Sequence, residues 1–240
     1  MKCKVLHIGR NNPENEYYMR GVKLQDVDSE KDIGVHITKS LKPSEHCRIS
    51  AQTAKGVLSQ ILRSFLYRDK VVFKNLYTTY VRPHLEFASA VWSPWLIKDI
   101  EILEEVQEKF VRNVQGLKGR TYLEKLNELG LMSLQTRRIY IDLVEAYKII
   151  YGYSTKESSF YFNLTGSRSR RQTRLTDYPR NIILSRSNLD SRRYFFSQRV
   201  AEPWNNLPTN IKDARSIGSF KYLLKSYMLS SNSGHQDPAA

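Results

Sequence analysis

The chain has 240 residues, of which 40% are hydrophobic and 11% aromatic, and this composition excludes a wholly disordered protein. The 38 Lys and Arg against 24 Asp and Glu give a net charge of +14, which attracts polyanions such as nucleic acid or an acidic membrane surface. Two cysteines, Cys3 and Cys47, exclude a disulfide framework or a Cys-rich zinc site. The sequence has neither a signal-type apolar segment nor about 18 uninterrupted apolar residues. We therefore expect an intracellular protein of the nucleus or cytoplasm, with no membrane partner.

Residues 1–40 predict a small antiparallel β unit. Three segments, 2–9, 16–24 and 31–37, are rich in β-branched or aromatic residues, and turn-forming residues separate or interrupt them. Gly21 is expected to form a turn or bulge. Three short strands in this position resemble the edge of a sheet whose remainder is missing.

Residues 41–152 predict a helical bundle, because the apolar residues change to helical spacing after Pro43. We expect helices from Pro43, from about Asp69 to a break or kink at Pro83, and from about Lys98 to Val114. A short helix should end at Gly130, and a longer one should start after Ser133 and stop at Gly152. The predicted fold class is therefore mainly α, with the β unit at the N-terminus.

The first predicted helix has a basic face. Arg48, Lys55 and Arg63 lie close together around the helix at 100° per residue, on a face different from the apolar one. No carboxylate occurs between Glu45 and Asp69. This face is a candidate surface for a polyanion, although the same residues could simply solvate a helix whose other side is core.

Residues 153–193 predict a basic, Arg-rich linker. The segment 163–193 holds eight arginines and two carboxylates, including Arg168, Arg170, Arg171 and Arg174 among small polar residues. Such a segment can contact a phosphate backbone, serve as a plain linker or act as a nuclear-import signal. At its end, Arg192 and Arg193 precede Tyr194 and Phe195, where charge and potential base stacking interleave. A helical unit is predicted for 194–230 and a disordered tail for 231–240.

No catalytic or metal site is predicted from these residues. Asp26 and Asp28 are the nearest approach to paired carboxylates, and a turn explains them better than a metal site. The five histidines lack metal-ligand spacing, and we interpret His46 and Cys47 as a surface histidine beside a packed cysteine rather than as a catalytic pair. The tryptophans Trp92, Trp95 and Trp204 are interpreted as core or turn anchors.

The order of several motifs along the chain resembles reverse transcriptases of jockey-like non-LTR retrotransposons, which are RNA-directed DNA polymerases. The most specific part is residues 80–138, with YVRPHLEFASAVWSP, DIEILEEVQEKFVRNVQGL and YLEKLNELGLMSLQTRR. SEHCRISAQTAKGVLSQILRSF resembles the first thumb helix of that family, and FFSQRVAEPWNNLP with SFKYLL resembles its C-terminal end. KCKVLHIG resembles the strand of polymerase motif D, and the following residues to Ile37 resemble the primer grip. The resemblance covers residues 2 to about 229.

This resemblance implies roles for particular residues. Lys2 matches the motif D lysine, which assists nucleotide addition in the family, and Arg48, Lys55 and Arg63 fall on the helix that contacts the template–primer duplex. The family's catalytic aspartates, including a Tyr/Phe-x-Asp-Asp pair, precede motif D and are absent here. The resemblance thus implies no cofactor for this chain, since two Mg²⁺ ions would belong to the missing palm, and it implies inactivity as a polymerase by itself.

The leading hypothesis is a thumb and C-terminal fragment of a transposable-element reverse transcriptase, which binds RNA, DNA or an RNA/DNA hybrid and pairs with the missing palm and fingers. The alternative is a non-enzymatic helical interaction or structural protein, or an element remnant without function. The alternative predicts exposed or partner-covered apolar surface around the N-terminal strands.

Overall fold

The structure is a computed structural model that describes residues 3–9, 11–155, 157–167 and 178–231. The chain forms two compact units, residues 1–134 and residues 135–240. The boundary falls inside the stretch 41–152 that the sequence predicts as one helical bundle. The predicted fold class, mainly α with β structure at the N-terminus, is confirmed.

The N-terminal β structure consists of six short strands in three two-stranded ladders. The strands are β1 (Lys4–Val5), β2 (Tyr18–Met19), β3 (Val22–Lys23), β4 (Gln25–Asp26), β5 (Ser29–Asp32) and β6 (Val35–Thr38). The pairs β2–β3 and β5–β6 are antiparallel, whereas β1 pairs in parallel with β4. The parallel ladder differs from the predicted antiparallel unit, because β1 pairs with a strand about 20 residues away rather than with its neighbour in sequence.

The segment 31–37 is not one strand as predicted. It contains the turn of the β5–β6 hairpin, where Ile33 and Gly34 both have positive φ, 44° and 88°. Two consecutive left-handed residues match the twist of the flanking strands in a two-residue hairpin. Gly34 also has no room for a side chain, since an added Cβ would lie 2.7 Å from the ring of Phe87.

Six helices and a π-helical turn complete the described part of residues 1–134. They are α1 (Ser44–Ser64), α2 (Lys70–Leu76), the π-helical turn Tyr77–Val81, α3 (Arg82–Glu86), α4 (Ser89–Trp92), α5 (Ile97–Arg112) and α6 (Tyr122–Leu129). Thr121 caps α6 in a reciprocal capping box with Glu124, and Gly130 ends it in a left-handed conformation. This agrees with the predicted helix end at Gly130.

The prediction that Pro83 ends or kinks the second helix is only partly correct. Helical structure continues from Lys70 to Glu86, and Pro83 occupies the first turn of α3, where a missing backbone N–H costs little. The π-helical turn directly before it accommodates the proline. The buried side chains Tyr77, Val81 and Leu85 hold this continuous segment against the core.

The core of this unit lies between α1, the α2–α3 segment and α5. The rings of Tyr77 and Phe110 stack with centroids 4.2 Å apart. The Tyr77 hydroxyl donates to the buried Gln107 amide oxygen at 2.8 Å, and the Gln107 amide nitrogen donates to the carbonyl of Met132 at 3.0 Å. A satisfied polar group in the core fixes how the helices pack.

The described part of the second unit contains seven α-helices. They are α7 (Leu134–Ile150), whose first residue is the last of the first unit, α8 (Ser158–Tyr161), α9 (Asp190–Arg193), α10 (Phe196–Arg199), α11 (Ala201–Asn205), α12 (Thr209–Lys212) and α13 (Ile217–Ser231). Tyr147 of α7 stacks on Phe220 of α13 with ring centroids 4.2 Å apart. The fully buried Trp204 donates its indole N–H to the Arg180 carbonyl at 2.9 Å.

Buried charged groups take part in the packing of the second unit. Arg199 donates to both carboxylate oxygens of Asp142, at 2.8 and 3.0 Å. The ammonium of Lys212, only 2% exposed, donates to the Asn205 carbonyl at 2.8 Å and to the Asn181 side chain at 3.0 Å. Desolvation lowers the pKa of Lys212 and raises the pKa of Asp142. Both groups serve the fold, because neighbouring protein groups surround them.

Candidate nucleic-acid interface

The exposed face of α1 carries two of the predicted basic residues in an accessible state. The opposite face of the helix is buried through Cys47, Ala54 and Leu58, so the amphipathic pattern turns Arg48 and Arg63 outward. Both arginines are exposed, and neither side chain has a hydrogen bond or ion pair within the part of the chain that the structure describes. They are therefore able to contact phosphates without first breaking an internal interaction.

Lys55, midway between these arginines, has a different environment. Its ammonium lies 2.8 Å from a carboxylate oxygen of Glu105 on α5. The sequence around Lys55 is free of acids, but packing of α1 against α5 brings a carboxylate to the basic face from 50 residues away. The expected acid-free face is thus interrupted in space at Lys55, and a phosphate there would have to displace or share an existing ion pair.

Arg192 and Arg193 end the short helix α9 in the second unit, and both are exposed. The Arg192 guanidinium carbon lies 5.8 Å from the ring centroid of Phe195, within the range of a cation–π contact. Residues 135–240 contain 17 Lys and Arg against eight Asp and Glu, a net charge of +9. This excess makes the second unit the more basic of the two.

The other predicted contacts, Lys2, Arg168, Arg170, Arg171 and Arg174, lie outside the described residues. The chain on either side of the Arg-rich segment is paired. Leu164 and Ile182 form an antiparallel bridge, and the Gly166 N–H donates to the Pro179 carbonyl at 2.8 Å. The described residues before and after it are therefore joined to each other by backbone hydrogen bonds.

The structure gives His46 and Cys47 structural roles. Both are buried, so the prediction of a surface histidine at position 46 is wrong, while the packed cysteine is confirmed. The Nδ1 atom of His46 accepts from the backbone N–H of His36 at 3.2 Å, and its Nε2 lies 3.2 Å from the Ser50 hydroxyl. Burial, with help from the nearby charges of His36 and Lys31, lowers the pKa of His46 to about 4. A neutral histidine that accepts from the backbone is a packing element.

The acidic pair Asp26 and Asp28 is also engaged. Asp26 lies 3.2 Å from the Nε2 atom of His7, and Asp28 lies 3.0 Å from the ammonium of Lys39. Among the described residues, no group of three or more His, Cys, Asp or Glu is arranged to hold a metal ion. The two aspartates thus stabilise the N-terminal strands.

The aromatic residues divide into core and surface sets. Trp92 and Trp204 are buried, as the sequence predicts. Phe160 and Phe195 are instead 72% and 46% exposed, close to Arg192. Sequence reasoning missed Phe160, because its SSFYF context looks like any apolar run and only the fold separates it from the buried Phe162.

None of the helices in the described ranges combines the length and the apolar character that a membrane crossing requires. Comparisons with sequence profiles of protein families, with curated proteins and with solved structures returned no match.

Proposed function

We propose that this chain is the thumb and post-thumb part of a non-LTR retrotransposon reverse transcriptase, acting inside the cell, in the nucleus or cytoplasm. Its task is to contact the RNA template paired with the DNA primer during RNA-directed DNA synthesis. Polymerase chemistry and its two Mg²⁺ ions belong to the palm and fingers, which also act as a protein partner. The chain by itself binds nucleic acid without polymerising it.

The single observation that carries this proposal is the accessible pair of arginines on α1. Arg48 and Arg63 are about 22 Å apart along an ideal helix of 1.5 Å rise per residue. This distance corresponds to six or seven phosphate intervals of about 3.4 Å along one strand. The two cations thus suit a duplex long enough to follow the whole helix, and the resemblance to a thumb helix falls on these same residues.

The test is a titration of a labelled RNA–DNA hybrid of about 16 base pairs at 50 and 200 mM salt. We expect dissociation constants of roughly 10⁻⁴ to 10⁻⁶ M at moderate salt, with affinity that falls as salt rises. Arg48→Glu combined with Arg63→Glu should weaken binding and reduce the slope of log affinity against log salt by about two. Lys118→Glu combined with Lys221→Glu, at two exposed lysines outside α1, is the control because it changes the net charge by the same amount.

The proposal fails if hybrid binding is weaker than roughly millimolar at low salt or does not depend on salt. The assignment of the site to α1 also fails if the double α1 variant binds the hybrid as tightly as the double lysine control. In that case the contact moves to the arginines of residues 163–193, and the thumb role of α1 is abandoned.

A second candidate, a helical interaction protein, is favoured by one observation. Apolar side chains of the N-terminal β structure are exposed, including Tyr18 of β2 at 60%, Val22 of β3 at 56% and Ile33 in the β5–β6 turn at 88%. Such a patch fits a surface that another protein covers. Two results together would support this candidate over the first. The unchanged protein would not bind the hybrid, and a hydrophobic dye that fluoresces when bound to it would fluoresce less with the Tyr18→Thr and Val22→Thr variant.

A further inference from the structure

The second unit presents two exposed aromatic rings, those of Phe160 and Phe195, in the neighbourhood of one arginine. Phe160 belongs to α8 and Phe195 directly precedes α10. Arg192 lines a pocket of about 120 Å³ together with Phe160, and its guanidinium faces the ring of Phe195 at 5.8 Å. Arg192 is therefore common to the pocket that Phe160 lines and to the cation–π contact with Phe195.

The backbone around these rings is fixed by buried neighbours. Phe162 is buried and contacts the ring of buried Phe196, with centroids 5.9 Å apart. The Arg199 guanidinium donates to the Tyr194 carbonyl at 3.0 Å, which holds the chain just before Phe195. Because the neighbours pack inward, Phe160 and Phe195 remain at the surface while their main chain is held in place.

The rest of the pocket is polar. Its lining includes Ser159, Asn163, Ser185, Ser197 and Gln198, and no carboxylate belongs to the described residues that line it. The Gln198 amide oxygen accepts from the Ser185 N–H at 3.2 Å, so its orientation is defined. The carboxylate of Glu157, which is outside the lining, accepts from the Ser159 hydroxyl at 3.3 Å. Neutral hydrogen-bonding groups beside an arginine suit a ligand with both polar edges and negative charge.

We propose that this surface, Phe160, Arg192 and Phe195, binds single-stranded nucleic acid through an unpaired stretch of nucleotides. Bases stack on the two phenylalanine rings and a phosphate contacts Arg192, with Arg193 adding charge nearby. A duplex does not satisfy the site, because its bases already stack on one another. Since every base has an aromatic face, the site tolerates different sequences. This site adds single-stranded nucleic acid to the duplex ligand of the proposed function. It rests on the proposed function only in taking nucleic acid as the ligand.

An acidic protein segment or an anionic membrane is a weaker fit to the same surface. Either would use Arg192, but neither gives a reason for two exposed rings beside a pocket of neutral hydrogen-bonding groups. Stacking is therefore the property that separates the alternatives, and it can be removed from the ligand without changing its charge.

The experiment uses the full chain and two labelled 12-nucleotide strands, an oligothymidine and an abasic strand with the same number of phosphates. Oligothymidine should bind at least tenfold more tightly than the abasic strand. Phe160→Ala and Phe195→Ala should each weaken oligothymidine binding by about 5- to 160-fold, since stacking contributes about 1–3 kcal/mol per base. The abasic strand should bind all of these proteins equally, while Arg192→Ala should weaken both strands.

Tyr222→Ala is the matched control, because Tyr222 is an exposed aromatic, 73% accessible, on α13 of the same unit. The Tyr222→Ala protein should bind oligothymidine with the same affinity as the unchanged protein. The proposal is overturned if the two strands bind equally, if neither phenylalanine substitution changes affinity, or if a poly-glutamate peptide competes as well as oligothymidine.

The same set of proteins separates this proposal from the thumb role of α1. Arg48→Glu with Arg63→Glu should weaken the RNA–DNA hybrid and retain the preference of oligothymidine over the abasic strand. If the chain does not bind the hybrid but still prefers oligothymidine to the abasic strand, the thumb proposal fails and the single-strand proposal holds. If hybrid affinity depends on the α1 arginines but the chain shows no preference for oligothymidine, the single-strand proposal fails and the thumb proposal holds.

Discussion

His46 makes the first unit sensitive to mild acid. Its Nδ1 atom accepts from the His36 N–H, so this nitrogen cannot be protonated without losing a partly buried hydrogen bond. The imidazole also packs on Trp92, with ring centroids 4.5 Å apart. Burial of the ring, with the nearby charges of His36 and Lys31, lowers the pKa of His46 from 6.5 to about 4, so the folded protein favours the neutral ring.

The magnitude follows from the two pKa values. Between pH 6.5 and 4 the unfolded chain binds a proton at His46 that the folded chain does not, so the free energy of unfolding decreases as the pH falls. The loss from this residue between pH 7 and pH 5.5 is about 1 kcal/mol. It approaches about 3 kcal/mol below pH 4, where both states are protonated.

The assay compares urea unfolding at pH 7 and pH 5.5 for the unchanged protein, His46→Asn and His84→Asn. Asparagine can still accept from the His36 N–H but does not titrate, so His46→Asn should lose about 1 kcal/mol less than the unchanged protein between the two pH values. His84 is exposed on α3 and serves as the control. The reasoning is refuted if His46→Asn and the unchanged protein lose equal stability.

Two further substitutions test the packing of the first unit. Gln107→Leu removes the buried acceptor for the Tyr77 hydroxyl and the donor to the Met132 carbonyl, and should reduce the free energy of unfolding by about 2–4 kcal/mol in urea titrations. An unchanged free energy of unfolding in Gln107→Leu would mean that water replaces the hydrogen bonds of the amide. Ile33→Asn should raise the melting temperature, since a β-branched residue at φ 44° is strained by about 1–2 kcal/mol and Asn favours this turn position. Ile37→Asn, away from a turn, is its destabilising control.

The elements that could be predicted from the sequence are those defined by nearby residues. The helix α6 has its start signal at Thr121 and its stop signal at Gly130, within one short segment. The β5–β6 turn was missed because Ile33 is not a usual turn residue, so Gly34 looked like an interruption of one strand. The continuation of helix through Pro83 depends on core packing, which no local pattern contains.

In the candidate site, too, the sequence predicts what nearby residues determine and misses what distant residues determine. Exposure of Arg48 and Arg63 follows from helical periodicity, and the sequence therefore predicts their positions on one surface. The ion pair of Lys55 depends on Glu105, 50 residues away, and no spacing rule connects them. The grouping of Phe160 with Arg192 likewise requires the fold of the second unit.

The Lys55–Glu105 ion pair changes how the basic face of α1 should act. Three free cations at seven- and eight-residue spacing would form a continuous stripe, but the middle charge is already compensated at 2.8 Å. The face then acts as two separate phosphate contacts, which is why the expected change in salt slope is about two rather than three. Glu105→Gln tests this directly, because releasing Lys55 should strengthen hybrid binding and add about one to the slope. An unchanged slope would mean that Lys55 does not face the duplex, and that α1 contacts nucleic acid only near its ends.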